Sequence, residues 1–209
     1  VSPDEPVGAG EQVGASGALR ALAKRAAAEG EPLVSAAARE LPEAVLGLLV
    51  AEGSRTAENP SAYAFVVEAV REGYGCHYGR PRVLETEDTD LLLLAGDLFY
   101  AYGISTLADL GDDQSVALLS DLIRVSGELH AAGRAADVDE LWLARIMALA
   151  NGSDGELEQL TEALRQGSPG AAEGLRGWTD RVASESRGGE RIGEVRDVLH
   201  FGSAGLEFP

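Results

Sequence analysis

The stretch from Asp90 to His130 constrains the fold more than any other. Between Asp90 and Leu110, the residues Leu91, Leu94, Leu98, Ala101, Tyr102, Ile104 or Ser105, and Ala108 recur at the i, i+3, i+4, i+7 spacing of one helical face. Leu92, Leu93, Phe99 and Tyr100 carry the apolar character nearly all round, which predicts a central helix rather than a surface one. Asp88 or Thr89 is placed to cap its start, Asp90 complements the first-turn dipole, and Gly111 suits the position just past its end. Asp112 then opens a second helix, with Val116, Leu119, Ile123, Ser126 or Gly127, and His130 along one side. Gly96, Gly103 and Gly127 sit inside this pair. Each glycine costs up to about 1 kcal/mol relative to alanine, which points to close approach of a neighbouring helix.

The rest of the chain reads as helices that cover or extend the pair. Ala18–Glu29 carries the stripe Leu19, Leu22, Ala26 and stops at Gly30-Glu31-Pro32. Val34–Glu52 is predicted helical with a break near Pro42, giving the pieces Ala36–Glu40 and Pro42–Ala51. A third helix opens at Asn59-Pro60-Ser61 and runs through Val66, Val67 and Val70 to about Glu72. Gly73–Arg82, with three glycines and a proline, reads as irregular. Further helices are predicted over Asp137–Ala150, Glu156–Gln166 and Ala171–Ser184, the last capped by Ser168-Pro169, with a short one through Ile192, Val195, Val198 and Leu199. No strand alternation persists and no repeat of 20–50 residues occurs. The expectation is an all-α, single-domain bundle of about eight helices spanning residues 18–200, with a mobile arm over 1–17 and a tail over 201–209.

Composition narrows the function classes. A formal net charge of −18 argues against a nucleic-acid partner, whose phosphates demand lysine and arginine. Apolar content of 45% with 25% charged residues fits a soluble globular protein. Cys76 is the one cysteine, so no intrachain disulfide forms and a cytoplasmic setting is expected. No run of about 18 consecutive apolar residues occurs, so no membrane span is expected. The N-terminal VSPDEPVGAGEQVGASG lacks the basic and apolar regions of a signal peptide.

Several groupings are candidates for chemistry. In the acidic run Glu85, Glu87, Asp88, Asp90, the pair Glu87 and Asp90 has the i, i+3 spacing of a helical Mg²⁺ clamp; helix capping is the competing and favoured reading. Asp112-Asp113 reads as a cap. Arg80 and Arg82, beside Gly79, have the chemistry to hold a phosphate, although no phosphate-cradling glycine motif occurs. Cys76-His77 are neighbours without a nucleophile's geometry, and zinc wants more ligands than the chain's cysteine and histidines supply at usual spacings. Asn151-Gly152-Ser153 is formally a glycosylation sequon.

The segment Leu94-Ala95-Gly96-Asp97-Leu98-Phe99-Tyr100-Ala101, followed by Leu107-Ala108-Asp109-Leu110-Gly111-Asp112 and a second apolar helix, resembles the LAGD segment of trans-isoprenyl diphosphate synthases, the polyprenyl synthetase family. The match covers about Leu91–Glu128. The family's two DDxxD motifs, which hold Mg²⁺ and the allylic diphosphate, are absent. Lys24-Arg25 lacks the context of the family's homoallylic site, and Arg80-Pro81-Arg82 is only faintly similar to its RRGxP segment. The resemblance therefore implies part of the isoprenoid synthase fold and a non-catalytic role, like that of the small subunits of heterodimeric polyprenyl diphosphate synthases. It implies no catalytic residue and no cofactor required by this chain, with Mg²⁺ entering in a complex. It implies a catalytic synthase subunit, or self-association, as partner. Leu94, Gly96, Asp97, Leu98, Phe99, Tyr102 and Leu107 would then form the interface or line the product tunnel. The alternatives are an unrelated helical interaction module, or a divergent Mg²⁺-dependent enzyme working through Glu85, Glu87, Asp88 and Asp90.

Overall fold

The computed structural model describes residues 14–199. Among them lie nine α-helices: α1 (Ala18–Ala28), α2 (Val45–Ala51), α3 (Pro60–Tyr78), α4 (Thr89–Asp109), α5 (Asp113–Ala131), α6 (Val138–Asn151), α7 (Gly155–Arg165), α8 (Ala171–Ser184) and α9 (Ile192–Val198). The fold is an all-α single-domain bundle, with no β-strand among the described residues. Of the expected terminal arm (1–17), residues 1–13 lie outside the described residues, while Ala15–Gly17 form a 3-10 turn that leads into α1; the tail (201–209) lies wholly outside them.

The capping logic of the central pair holds in detail. Asp88 Oδ1 accepts the Leu91 amide at 3.0 Å, and Asp112 Oδ1 accepts the Ser115 amide at 3.1 Å. Asp154 caps α7 by accepting the Leu157 amide at 2.9 Å. At α8 the cap is Gly170 in the left-handed conformation (φ 80°), not Ser168-Pro169.

Three further expectations are corrected. The piece 36–40 is not helical. It crosses the segment before α4 through the isolated antiparallel bridge Ala37–Leu84, with Ala38 N donating to Val83 O and Glu85 N to Ala36 O, and α2 begins only at Val45. The glycine-rich stretch Gly73–Tyr78 is helical, because α4 packs against it. A Cβ on Gly73 would lie 2.6 Å from the Tyr100 ring and 2.9 Å from Gly96 O. Finally, α4 is not the most enclosed helix. That is α6, where Val138 and every residue from Leu141 to Ala150 is buried against α2, α5 and α8. The main partner of α4 is α3 rather than α5.

Candidate interaction face and the core behind it

The inward face of α4 presents Ala95, Gly96, Phe99, Tyr102, Gly103 and Leu107, all buried. Gly96 and Gly103 let the backbone come close to α3: added Cβ atoms would stand 2.7 Å from His77 Nε2 and 2.7 Å from Val70 Cγ2. Phe99 meets Tyr102 edge-on at 6.3 Å. The Tyr102 hydroxyl donates to Glu29 Oε1 at 2.7 Å and Arg25 lies 4.0 Å over its ring, which ties α4 to the end of α1. Of the residues expected to form an interface or tunnel wall, Gly96, Phe99, Tyr102 and Leu107 thus pack into the chain's own core.

The outward face differs. Leu94 is 71% exposed and Leu93 40%, while Leu91, Leu92 and Leu98 are half-buried beside them. Asp97 is solvent-facing one turn on, its Oδ1 3.2 Å from His77 Nε2, which makes no hydrogen bond among the described residues. Glu85, Glu87, Asp88 and Asp90 are exposed around the helix start. Asp88 is spent on the cap, and Glu87 and Asp90 face solvent. Among the described residues, no three His, Cys, Asp or Glu side chains converge as a metal cluster would require. The result is an exposed pair of leucines with Asp90 and Asp97 about one turn to either side and Glu85, Glu87 and Asp88 just before the helix start.

The segment that delivers the chain into α4 is latched from below by residues the sequence reasoning passed over. Glu68 and Glu72, one turn apart on α3, are fully buried. Arg82 answers both: Nη1 donates to Glu68 Oε2 at 2.6 Å and Nε to Glu72 Oε2 at 3.0 Å. Backbone amides complete the acceptors, with Gly47 N on Glu68 Oε1 and Val83 N on Glu72 Oε1, each at 2.7 Å, and Arg82 N also donating to Glu72 Oε1. Burial alone would lower the Arg82 pKa, but the two carboxylates more than offset it and hold the guanidinium charged. Arg71 nearby is brought down to about 10, first by burial and then by Arg82. The phosphate expectation therefore divides: Arg82 is committed to two glutamates, and Arg80 alone of the pair is exposed. Two acids inside Val66-Val67-Glu68-Ala69-Val70-Arg71-Glu72, at i and i+4 on an apolar helix, were the available signal.

Beneath the α3–α4 seam the aromatic and imidazole rings gather. His77 stacks on Tyr100 (5.4 Å, 10°), Tyr78 stacks on His130 (4.2 Å, 9°), and Tyr74 meets Trp142 edge-on at 5.3 Å. The Tyr74 hydroxyl and His130 Nε2 share a hydrogen bond of 2.5 Å. Burial lowers the His130 pKa, so its ring is neutral at pH 7. Cys76 is buried too, and burial raises its thiol pKa well above the usual value, away from a nucleophilic thiolate. His77 is directed at Asp97 rather than at its neighbour Cys76.

Comparison with protein-family models, with curated proteins and with solved structures finds no match to the chain.

Proposed function

We propose that this chain is a non-catalytic helical subunit that docks a partner protein on the outer face of α4, and that the partner is a catalytic polyprenyl diphosphate synthase subunit. One observation carries the reading. The segment that resembles polyprenyl synthetases, Leu94–Ala101, lies on the helix where the chain leaves two adjacent leucines in water. Exposed apolar patches rimmed by polar groups are characteristic of docking surfaces. The carboxylates at Glu85, Glu87, Asp88, Asp90 and Asp97 specify the complement: an amphipathic helix whose apolar stripe is bordered by lysine or arginine. Diphosphate and Mg²⁺ chemistry belongs, on this reading, to the partner.

By length and composition α4 also meets the requirements of a membrane span, with 39% of its most apolar window buried inside the chain. The acid rim and the glycine seam against α3 favour a protein-facing helix, since anionic lipid surfaces repel carboxylates.

The test mixes the purified chain with a synthase bearing both aspartate-rich motifs from the same host. Association is followed by size-exclusion chromatography with light scattering, and prenyl transfer is measured with and without the chain. The expected result is a stable complex, no turnover by the isolated chain, and loss of the complex in a Leu93→Glu/Leu94→Glu variant that keeps its helical circular dichroism. Mg²⁺-dependent prenyl transfer by the isolated chain overturns the reading, as does a native chain that stays apart from the synthase.

A further inference from the structure

Away from α4, a cleft of about 290 Å³ opens between α5, α6 and α7, lined by Gln114, Ala117, Leu118, Asp121, Arg145, Ser153 and Glu158. Arg145 is its notable member. It lies on the most enclosed helix of the fold, with a side chain only 2% exposed. Replacing a buried ion pair by apolar residues is commonly neutral or stabilising, so core packing by itself does not call for arginine here. Asp121 Oδ2 accepts from Nη2 at 2.8 Å, and Asp121 is shared with Arg124. The second partner is of another kind. Glu158 spans the guanidinium, Oε1 to Nη1 at 2.9 Å and Oε2 to Nη2 at 3.1 Å, yet its side chain is 56% exposed. The Arg145 Nε–H is buried and has no hydrogen-bond partner among the described residues.

We propose that this cleft binds a small monocarboxylate, whose carboxylate replaces Glu158 on the Arg145 guanidinium. The planar fork of arginine matches any carboxylate in two-pronged fashion, and Glu158 occupies it as an internal competitor. The ligand carboxylate takes over the pairing with the Arg145 guanidinium, and the displaced Glu158 carboxylate, already 56% exposed, turns into solvent. Ala117 and Leu118 supply an apolar wall, and Gln114 and Ser153 supply partners for a hydroxyl or similar group. The volume lies near the lower end of the range for ligand pockets, about 300–1,000 Å³, which suits a molecule on the scale of a short hydroxy acid.

The experiment titrates the isotope-labelled full chain with lactate at constant ionic strength, following the Arg145 Nε–H and Ser153 amide resonances. Lactamide serves as the neutral control and chloride as the ionic one. Glu158→Ala, at an exposed position, removes the competitor while leaving Arg145 paired to Asp121. The expected result is saturable movement of both resonances, absent with lactamide, with a midpoint about tenfold lower in Glu158→Ala, the scale of one charge-assisted hydrogen bond. Ala117→Trp, which fills the cleft while keeping Asp121, Arg145 and Glu158 in the chain, is expected to abolish the response. The proposal is overturned if Glu158→Ala binds lactate no more tightly than the native chain, if neither binds it, or if chloride reproduces the shifts.

Discussion

Replacing Arg82 by alanine tests the latch beneath α4. The substitution removes the guanidinium that faces Glu68 Oε2 at 2.6 Å and Glu72 Oε2 at 3.0 Å, and both glutamates are 0% exposed. What remains is partial compensation: the Gly47 and Val83 amides and the backbone amide of residue 82 still donate to the opposite oxygens, and Arg71 still lies nearby. Breaking a buried ion pair from one side costs about 3–5 kcal/mol, because the surviving charge is left without its counterion. Here two charges are left, and the backbone donors and Arg71 absorb part of the excess, so the same range is expected. Against a total stability of about 5–15 kcal/mol for a domain, that is a large fraction. With a urea slope of about 2–3 kcal/mol per molar, the unfolding midpoint should fall by about 1–2 M. Helical circular dichroism in urea provides the assay. Arg82→Lys keeps the charge but loses the fork and should fall between the two. A loss under about 1 kcal/mol in Arg82→Ala would refute the reasoning, and would mean that the amides and Arg71 alone satisfy the glutamates.

Two further substitutions probe other parts of the frame. Burial pushes the Asp112 carboxyl up, but the Ser115 and Tyr63 hydroxyls, the Ser115 amide and Arg55 together hold its pKa down at about 2, below the ordinary 3.8. Its contribution is therefore fully present above about pH 4 and lost as pH falls towards 2; Asp112→Asn should lower stability by about 2 kcal/mol at pH 7, and the gap to the native chain in thermal melts should close across that acidic window. Gly73→Ala gains about 1 kcal/mol in helix propensity but places a methyl 2.6 Å from Tyr100 and 2.9 Å from the Gly96 carbonyl. Overpacking of about 1–3 kcal/mol should win, and a more stable variant by urea titration would show that the two helices slide apart at no cost.

The helices of the central pair, their caps and the turn between them are legible in the chain, because side-chain periodicity and capping residues act locally. Asp88 and Asp112 do what their positions promise. The errors arise where distant contacts override local preference. Gly73 and Gly75 argue against a helix only until α4 and the Arg80 carbonyl are seen to need the space. In α5 the buried face takes in Leu119 and Ser126 as read from the sequence, but it is completed by Ser115, Leu118, Leu122, Val125 and Leu129 instead of Val116, Ile123 and His130, because alternative faces of an apolar helix look alike. The leucines of α4 suggest enclosure by their number, yet number cannot say which side a neighbour occupies. Glu68 and Glu72 were visible as acids in an apolar run, but their counterion lies 10–14 residues away, across a turn that local pattern does not reveal.

Because α6 bears the core, the two most exposed leucines of α4, Leu93 and Leu94, carry little of the packing. Leu93 and Leu94 can be exchanged for other side chains without disturbing Phe99, Tyr102 or Leu107 on the reverse side of the same helix. If α4 docks a partner as proposed, substitution along this exposed stripe would change which partner fits, while the glycine seam and the arginine latch beneath it hold the helix in the same place.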